Sequence, residues 1–454
     1  MLMKTLSIPA LACALTLGFG LASAQAITPT RVGPVSQYGQ LITGKNSAGE
    51  GHIYGSCEGV KDGAEVQVRG MSLYWSLMPQ AVEYWSEEGI TSMVRDMNIQ
   101  IVRAAMATGS EDWNGEYNGQ KLQGYGSNPT LQKNLMKTVV EAAIKQDIYV
   151  IIDWHSHNAN NQTEASKAFF QEMAQTYGQY DNVIFELFNE PEDISWSIVK
   201  DYANQVIPTI RQYSDNLILV GNPRWDQKPH WAARDGVTDS GNNTAYTMHF
   251  YAVDHCIYGT EGWGDGDRDK CPGQSAEDAI KAGSAVFVSE WGTGDKSGGG
   301  YPDATKNQNW QEFINKYKLS WANWSASHIS EGTAAFSGGS NKNSLQYSAS
   351  GDVVKGYLAT NPTSYTKCGE PQAIRSMKVA TDLSVSFSHN TLEVSGVNVA
   401  TVELFDLNGN KLMMVDGVVG SLSLAKLPKG MYIAKVSSGS ASKTLKVSIK
   451  SSKN

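Results

Sequence analysis

The sequence lacks a second long apolar run. The first lies at the N-terminus, in MLMKTLSIPALACALTLGFGLASAQA, where Lys4 precedes the apolar stretch and Ala22-Ser23-Ala24 follows it. That order is a secretory leader with an A-x-A cleavage site, so residues 1–24 are expected to be removed before Gln25. No later segment has the apolar length to span a bilayer. The mature chain is therefore expected to be exported, either secreted or attached to the cell surface. Positive charge is not in excess either: 37 Lys and Arg against 45 Asp and Glu leave a net charge of −8. An acidic balance argues against nucleic acid and anionic membrane as partners, and leaves a neutral polymer open. There is no C-x-x-C, and the cysteine spacings are irregular, which disfavours zinc. Cys13 leaves with the leader, so Cys57, Cys256, Cys271 and Cys368 remain of the five cysteines. An even number in an exported chain reads as disulfides, with three pairings open. Cys256–Cys271, closing a short polar loop, and Cys57–Cys368, tying the ends of a large domain, are the favoured pair. No glycine-rich phosphate fingerprint follows the first strand-like run, which removes the main support for an open doubly wound sheet.

What is present between Val66 and Ser327 is one repeated theme: a β-rich run, a loop, then a helical stretch. The runs are VQVRGMSL, IQIVRAAM, YVIIDWHS, VIFELFNE, LILVGNP, TAYTMHFYA, AVFVSEWG and LSWANWSAS, eight in all. Stretches such as QAVEYWSEEGITSMVRDM, NPTLQKNLMKTVVEAAIKQ and WSIVKDYANQVIPTIRQY carry apolar residues near 3.6 spacing and read as helices. Alternating strand and helix implies parallel strands joined by crossovers. Eight units over this length fit a closed (β/α)8 TIM barrel, for which about 250 residues is typical. The barrel domain is expected over residues 25–368. All twelve Trp lie between Trp75 and Trp324, and the region 375–454 has none. That region alternates short strands with Asn-Gly and Lys-Gly turns, the pattern of a small all-β sandwich. Without tryptophan platforms it is a poor sugar-binding module and a better sorting or attachment module.

In a barrel of this kind the working face lies at the C-terminal ends of the strands. The runs place Arg103, then Asp153, His155 and His157, then Asn189 and Glu190, then His249 and Tyr251, then Glu290, then Trp324 at that face. Two glutamates among such neighbours are what glycosidic bond cleavage needs, one to donate a proton and one to act as an anion. The residues alone leave retaining and inverting geometry open. Glu186, in mid-strand, reads as a buried acid paired with a base such as Arg103. The rival enzyme class, a zinc amidohydrolase suggested by His155-x-His157, would need that pair on the first strand and not the third. Asp265, Asp267 and Asp269 resemble a calcium loop, but Lys270 stands where its turn glycine belongs. Trp75, Trp113, Trp225 and Trp263 each fit either a cleft platform or loop packing, whereas Trp85, Trp154 and Trp310 read as core.

FNEP after strand four, SEWG on strand seven, VRAAM, DWH and HFYA together resemble glycoside hydrolase family five, in its bacterial endoglucanase branch. The resemblance runs from about Val35 to Ser327. It implies a retaining double displacement on cellulose or a related β-glucan, by a monomer needing no cofactor or metal. It further implies Glu290 as nucleophile, Glu190 as acid/base, and Asn189 on the sugar 2-hydroxyl. Arg103 and Tyr251 would position Glu290, and His155 and His249 would line the cleft. Trp324 would stack on sugar, and Trp75, from its place at a strand end, is a further substrate-binding candidate. This sequence departs from the pattern at His328 and Ile329, where an Asp-Lys pair is usual, and at Ala107, where an aromatic is usual. Those positions bear on the choice among cellulose, mannan and xyloglucan; a barrel that binds glucan without cutting it would have lost one carboxylate. The tail, through VELFDLNGNKL and LPKGMYIAKV, is similar to the sorting domains of type IX secretion cargo, which implies outer-membrane secretion machinery as a partner.

Overall fold

The computed structural model describes residues 26–262, 266–369, 383–395, 400–407, 409–418, 420–438 and 441–450. The leader, Trp263 and Asp265 lie outside the described residues. The chain divides into two compact units, Met1–Glu370 and Pro371–Asn454.

The first unit is the expected barrel. Its strands are β1 (Arg69–Leu73), β2 (Ile101–Ala107), β3 (Tyr149–His155), β4 (Val183–Glu186), β5 (Ile218–Val220), β6 (Thr244–Tyr251), β7 (Val286–Gly292) and β8 (Trp321–Ala326). They close in sequential order, each paired in parallel with the next and β8 with β1. Every residue of β2, β3, β7 and β8 is buried. A parallel strand covered by helices outside and side chains inside must be apolar on both faces, which is why these runs do not alternate. The crossover helices begin on local caps. Asn128 accepts from Leu131 N–H ahead of Pro129–Lys145, and Asp303 accepts from Lys306 N–H ahead of Ala304–Lys316. The single helix expected from Gln80 to Met97 is two: Pro79–Val82 and Glu87–Met97. Ser86 interrupts it in extended backbone and caps the second helix through Gly89 N–H, with Glu87 and Glu88 in the first turn.

A hairpin that the repeating pattern did not foretell, Leu41–Lys45 against Gly51–Gly55, belongs to the opposite end of the barrel. Its Leu41 and Ile53 pack with Ile101, Tyr149, Ile184, Leu219 and Phe287, residues at or near the starts of their strands. Burying each such side chain contributes about 1.5–3 kcal/mol, so this end is sealed and the cleft is left to the other. Cys57 is bonded to Cys368, 311 residues away, with Cα atoms 5.7 Å apart; Cys256 is bonded to Cys271, with Cα atoms 5.2 Å apart. A cross-link spanning so long a loop restricts the unfolded chain strongly. Replacing Cys57 and Cys368 together by Ser is expected to cost about 2–4 kcal/mol, read as a lowered midpoint in denaturant with a steeper slope, because the released chain exposes more surface on unfolding.

The second unit is all-β. A three-stranded antiparallel sheet (Ser384–Ser388, Thr391–Ser395, Ser421–Ser423) and a four-stranded one (Ala400–Phe405, Lys411–Val418, Gly430–Ser438, Ala441–Ile449) share a core of Leu392, Val394, Val402, Leu404, Ala434, Val436 and Val447. Burial alternates along Ala400–Phe405, as the period of two requires. Among the described residues, no helix is long and apolar enough to cross a membrane.

Candidate active site

Arg103 is the hub. It is the third residue of β2 and not its last, as the sequence reading had placed it; the long side chain is what carries its charge up to the site. The guanidinium is fully buried. Its Nε donates to Glu186 Oε2 at 2.7 Å, Nη1 to Glu290 Oε2 at 2.8 Å, and Nη2 to Asn189 Oδ1 at 2.6 Å. Asp153 Oδ2 lies 3.0 Å from Nη2. Guanidinium only donates, so Asn189 must present its oxygen to Arg103 and turn its NH2 elsewhere. Glu186 is thus the buried partner of Arg103 that the strand position implied.

Glu290 sits near the end of β7. Its second oxygen accepts from Tyr251 Oη at 2.9 Å, so both carboxylate oxygens are held by donors. Glu190 follows the end of β4, where Phe188 and the backbone leave the sheet. Its Oε1 accepts from His249 Nδ1 at 2.9 Å, and His157 Nδ1 lies 3.7 Å from Oε2. One oxygen of Glu190, one of Glu290 and a ring nitrogen of His249 all lie within 4.8 Å of one another. The two glutamates therefore face each other across the mouth of the barrel.

Five carboxyl groups, Asp153, Glu186, Glu190, Asp226 and Glu290, share this region with two cations, Arg103 and His249. They cannot all be anions at low cost. Burial raises Asp153 and Asp226 well above the usual carboxylate range, against the attraction of Arg103 and His249 respectively. Burial, then the charge of Glu190, also raises Glu290, opposed by His249, Arg103 and the Tyr251 hydrogen bond. Glu186 goes the other way, because Arg103 and His249 outweigh its burial. Burial disfavours a charged His249, but Asp226, Glu186, Glu190 and Glu290 together lift it well above the ordinary imidazole value. Burial, reinforced by Arg103 and the neighbouring histidines, keeps His155 neutral. Its Nδ1 donates to Asp153 Oδ2 at 2.7 Å.

The groups Glu186–Asp226–His249 and Glu190–His249–Glu290 have the spacing of metal ligands. Arg103 is already bound to Glu186 and Glu290, and His249 carries charge, so side chains supply the positive charge a metal would bring.

An aromatic wall flanks the pair. His155 stacks on Trp324 with ring centroids 5.5 Å apart and planes within 2°. Tyr74 leans on Trp324 at 4.7 Å, and Trp75 meets the edge of His155 at 5.5 Å. Trp113, half exposed, packs on Trp75 at 5.0 Å. Beside Glu190 opens a cavity of about 910 Å³, lined by His157, Trp225, His249, Tyr251 and Lys296 among others. Trp225 is 40% exposed there, while Trp85, Trp154 and Trp310 are buried as expected. His328 does not replace a polar contact in the cleft: its Nδ1 lies 3.1 Å from Tyr84 Oη, and it faces Glu83 at 3.5 Å. Asp267 is taken up by Arg234, His230 and Trp231, not by a loop arranged for calcium.

The strand-end survey missed Glu331, which accepts from Tyr74 Oη at 2.9 Å beside Trp324, and Asp226, whose Oδ2 is 3.4 Å from His249 Nε2. Asp226 follows β5, a strand from which the survey took no residue. The signal available was an acid a few residues past a barrel strand, in NPRWDQ.

Residues 60–330 match the family described as Cellulase (glycosyl hydrolase family 5). The chain belongs to glycosyl hydrolase family 5. Its tail, residues 381–450, matches the secretion system C-terminal sorting domain. Among curated relatives it is 37% identical over 296 residues to Endoglucanase Z of Dickeya dadantii (strain 3937), covering 64% of this chain and 62% of that protein. It is also 37% identical over 288 residues to an endoglucanase of Clostridium saccharobutylicum, covering 62% and 57%. The chain thus spans about three fifths of the length of these relatives. Among solved structures, the catalytic domain of Thermobifida fusca endoglucanase Cel5A (E5) superposes with a TM-score of 0.59 at 27% identity, over 72% of this chain and all of that one. As a family 5 member the chain is a glycoside hydrolase, and the tail match accords with export.

Proposed function

We propose that this family 5 hydrolase is an exported endo-β-1,4-glucanase that cuts internal bonds of cellulose or related β-glucans with retention. The observation that carries the stereochemistry is the approach of Glu190 and Glu290 oxygens to within 4.8 Å. Retaining pairs stand about 5–5.5 Å apart, whereas inverting pairs need about 6.5–9.5 Å to admit a water. Glu290, with Arg103 and Tyr251 on its two oxygens, is the nucleophile. One of its oxygens bonds to the anomeric carbon as the glycosidic C–O bond breaks. Glu190, on the side of the open cavity, gives its proton to the departing oxygen. In the second half-reaction Glu190 takes a proton from water, the water oxygen bonds to the anomeric carbon, and Glu290 leaves as carboxylate. Asn189, its oxygen fixed by Arg103, offers its amide N–H to the sugar 2-hydroxyl. Trp324, backed by Tyr74 and His155, gives the glycone a flat apolar floor, and Trp75 extends it.

The leader at residues 1–24 and the sorting domain support a route out of the cell in which the tail engages the outer-membrane secretion machinery. The substrate is tested by reducing-end release from carboxymethyl cellulose beside mannan and xyloglucan. The expected result is release from carboxymethyl cellulose at least about tenfold faster than from mannan, a modest discrimination for a pocket reading sugar configuration. Release from mannan or xyloglucan alone would replace the glucanase reading while leaving the glutamate roles in place. Release from none would favour a barrel that binds without cutting.

A further inference from the structure

His249 is met by more negative charge than its hydrogen bond to Glu190 requires. Glu186 lies 3.8 Å and Asp226 3.4 Å from its Nε2, and Ser289 Oγ sits 2.8 Å from the same nitrogen. Asp226 is fully buried. Its Oδ1 accepts the backbone N–H of Asn222 at 2.6 Å, while Oδ2 has no hydrogen-bond partner and lies 3.4 Å from His249 Nε2. The backbone there is unusual: Arg224, Trp225 and Asp226 in succession have φ of 61°, 54° and 59°. Left-handed backbone is costly for side chains other than Gly, Asn and Asp. The turn is nonetheless pinned, because Asn222 donates to Thr247 O at 2.7 Å and accepts from Lys228 N–H at 2.6 Å. The result is a row, Asp226–His249–Glu190, that runs from a buried carboxyl to the cleft.

We propose that Asp226 is a positioning residue for proton donation: it holds His249 as an imidazolium aimed at Glu190, and so keeps the acid proton on the row at higher pH than Glu190 and His249 would alone. The idea rests on Glu190 being the acid/base. An uncompensated imidazolium beside Glu190 would drive the proton off it. Burial alone favours the protonated form of Asp226, but the charge of His249 opposes that, and the carboxyl in turn raises His249; the two form one buried ion pair whose charges cancel. Other charged or titratable groups facing this row are Glu186 from β4, Glu290 from β7, Arg103 from β2, Asp153 and His155 from β3, His157 after it, Tyr251 at the end of β6 and His255 after it. None of them approaches Nε2 as closely as Asp226 does.

The test is the pH profile of kcat/KM on a β-1,4-linked oligosaccharide for the full-length protein, Asp226→Asn and Asp226→Ser. Asn keeps the shape and tolerates the left-handed turn; Ser checks that the effect is one of charge. Loss of the carboxylate lowers the row's affinity for its proton, so the alkaline limb should move toward acid by about one pH unit in both variants. On a dinitrophenyl glycoside, whose leaving group needs no proton, kcat/KM should not report the row, and the variants should follow the wild-type profile. An unmoved limb on the oligosaccharide, or a uniform fall in rate at every pH, would overturn the proposal and mark Asp226 as packing. Glu190→Gln is run beside them. Equal loss on both substrates there would refute the acid/base reading, and the Asp226 proposal with it.

Discussion

Glu290→Gln should abolish turnover on glucan, lowering kcat by about 10⁴-fold or more, as loss of a nucleophile does elsewhere. The change replaces one carboxylate oxygen by an NH2 of the same size, so shape is retained and nucleophilicity is not. The fold should survive, because Arg103 keeps two other carboxylate partners, Glu186 at 2.7 Å and Asp153 at 3.0 Å. One lost charge-assisted hydrogen bond is worth about 1.5–3 kcal/mol, a small part of what a barrel with this core holds. Reducing-end release and thermal unfolding, measured on the same preparation, separate the two effects. Residual activity above a few per cent would remove Glu290 from the nucleophile role, and a collapsed melting curve would mean its charge is structural.

Glu190→Gln should behave differently. A glutamine cannot protonate the leaving oxygen, so natural glucan should be cut about 10²–10⁴-fold more slowly. An aryl glycoside with a good leaving group needs little protonation, and its first step should lose far less. The asymmetry between substrates identifies an acid, since a general disturbance of the cleft would slow both alike. Structure makes such a disturbance small: Glu190 is the more open of the two glutamates, and glutamine keeps an oxygen that can accept from His249 Nδ1, so what is lost is the charge facing His249 and His157. His249 would retain Asp226 and Glu186 as ion partners.

Much of this architecture could be read from the sequence because a parallel barrel writes itself as uninterrupted apolar runs. VIFELF, YVIID and AVFVSEW have no alternation to lose, and each ends in polar residues at the face where chemistry occurs. The hairpin Leu41–Gly55 was not legible, since Gly44, Lys45 and Gly51 weaken the strand signal and the barrel residues it packs on are far away in the chain. Ser86 broke a helix whose apolar spacing runs on through it; a cap competes locally with periodicity, and here the cap won. The depth of Arg103 was misjudged because position along a strand does not tell how far a long side chain reaches. Asp226 was missed for a related reason. NPRWDQ contains no glycine, so nothing in its composition announces three left-handed residues, and it is that backbone that carries the carboxyl to His249.

The bonds of Arg103 have a consequence for how such an enzyme can diversify. One guanidinium seated within the barrel ties Glu290 and Asn189 to Glu186 and Asp153, all on strands or their immediate ends. The rings that line the cleft beyond, Trp75, Trp113 and Trp225, stand on segments outside the strands. Apart from Trp324 on β8, the groups that cut and the rings that flank the cleft thus stand largely on different segments of the chain. The segments bearing Trp75 and Trp113 can be lengthened or re-sequenced at less risk to the chemistry than the turns that carry Glu190 and Asp226, while almost any change to the strand bearing Arg103 would be felt by both catalytic steps at once.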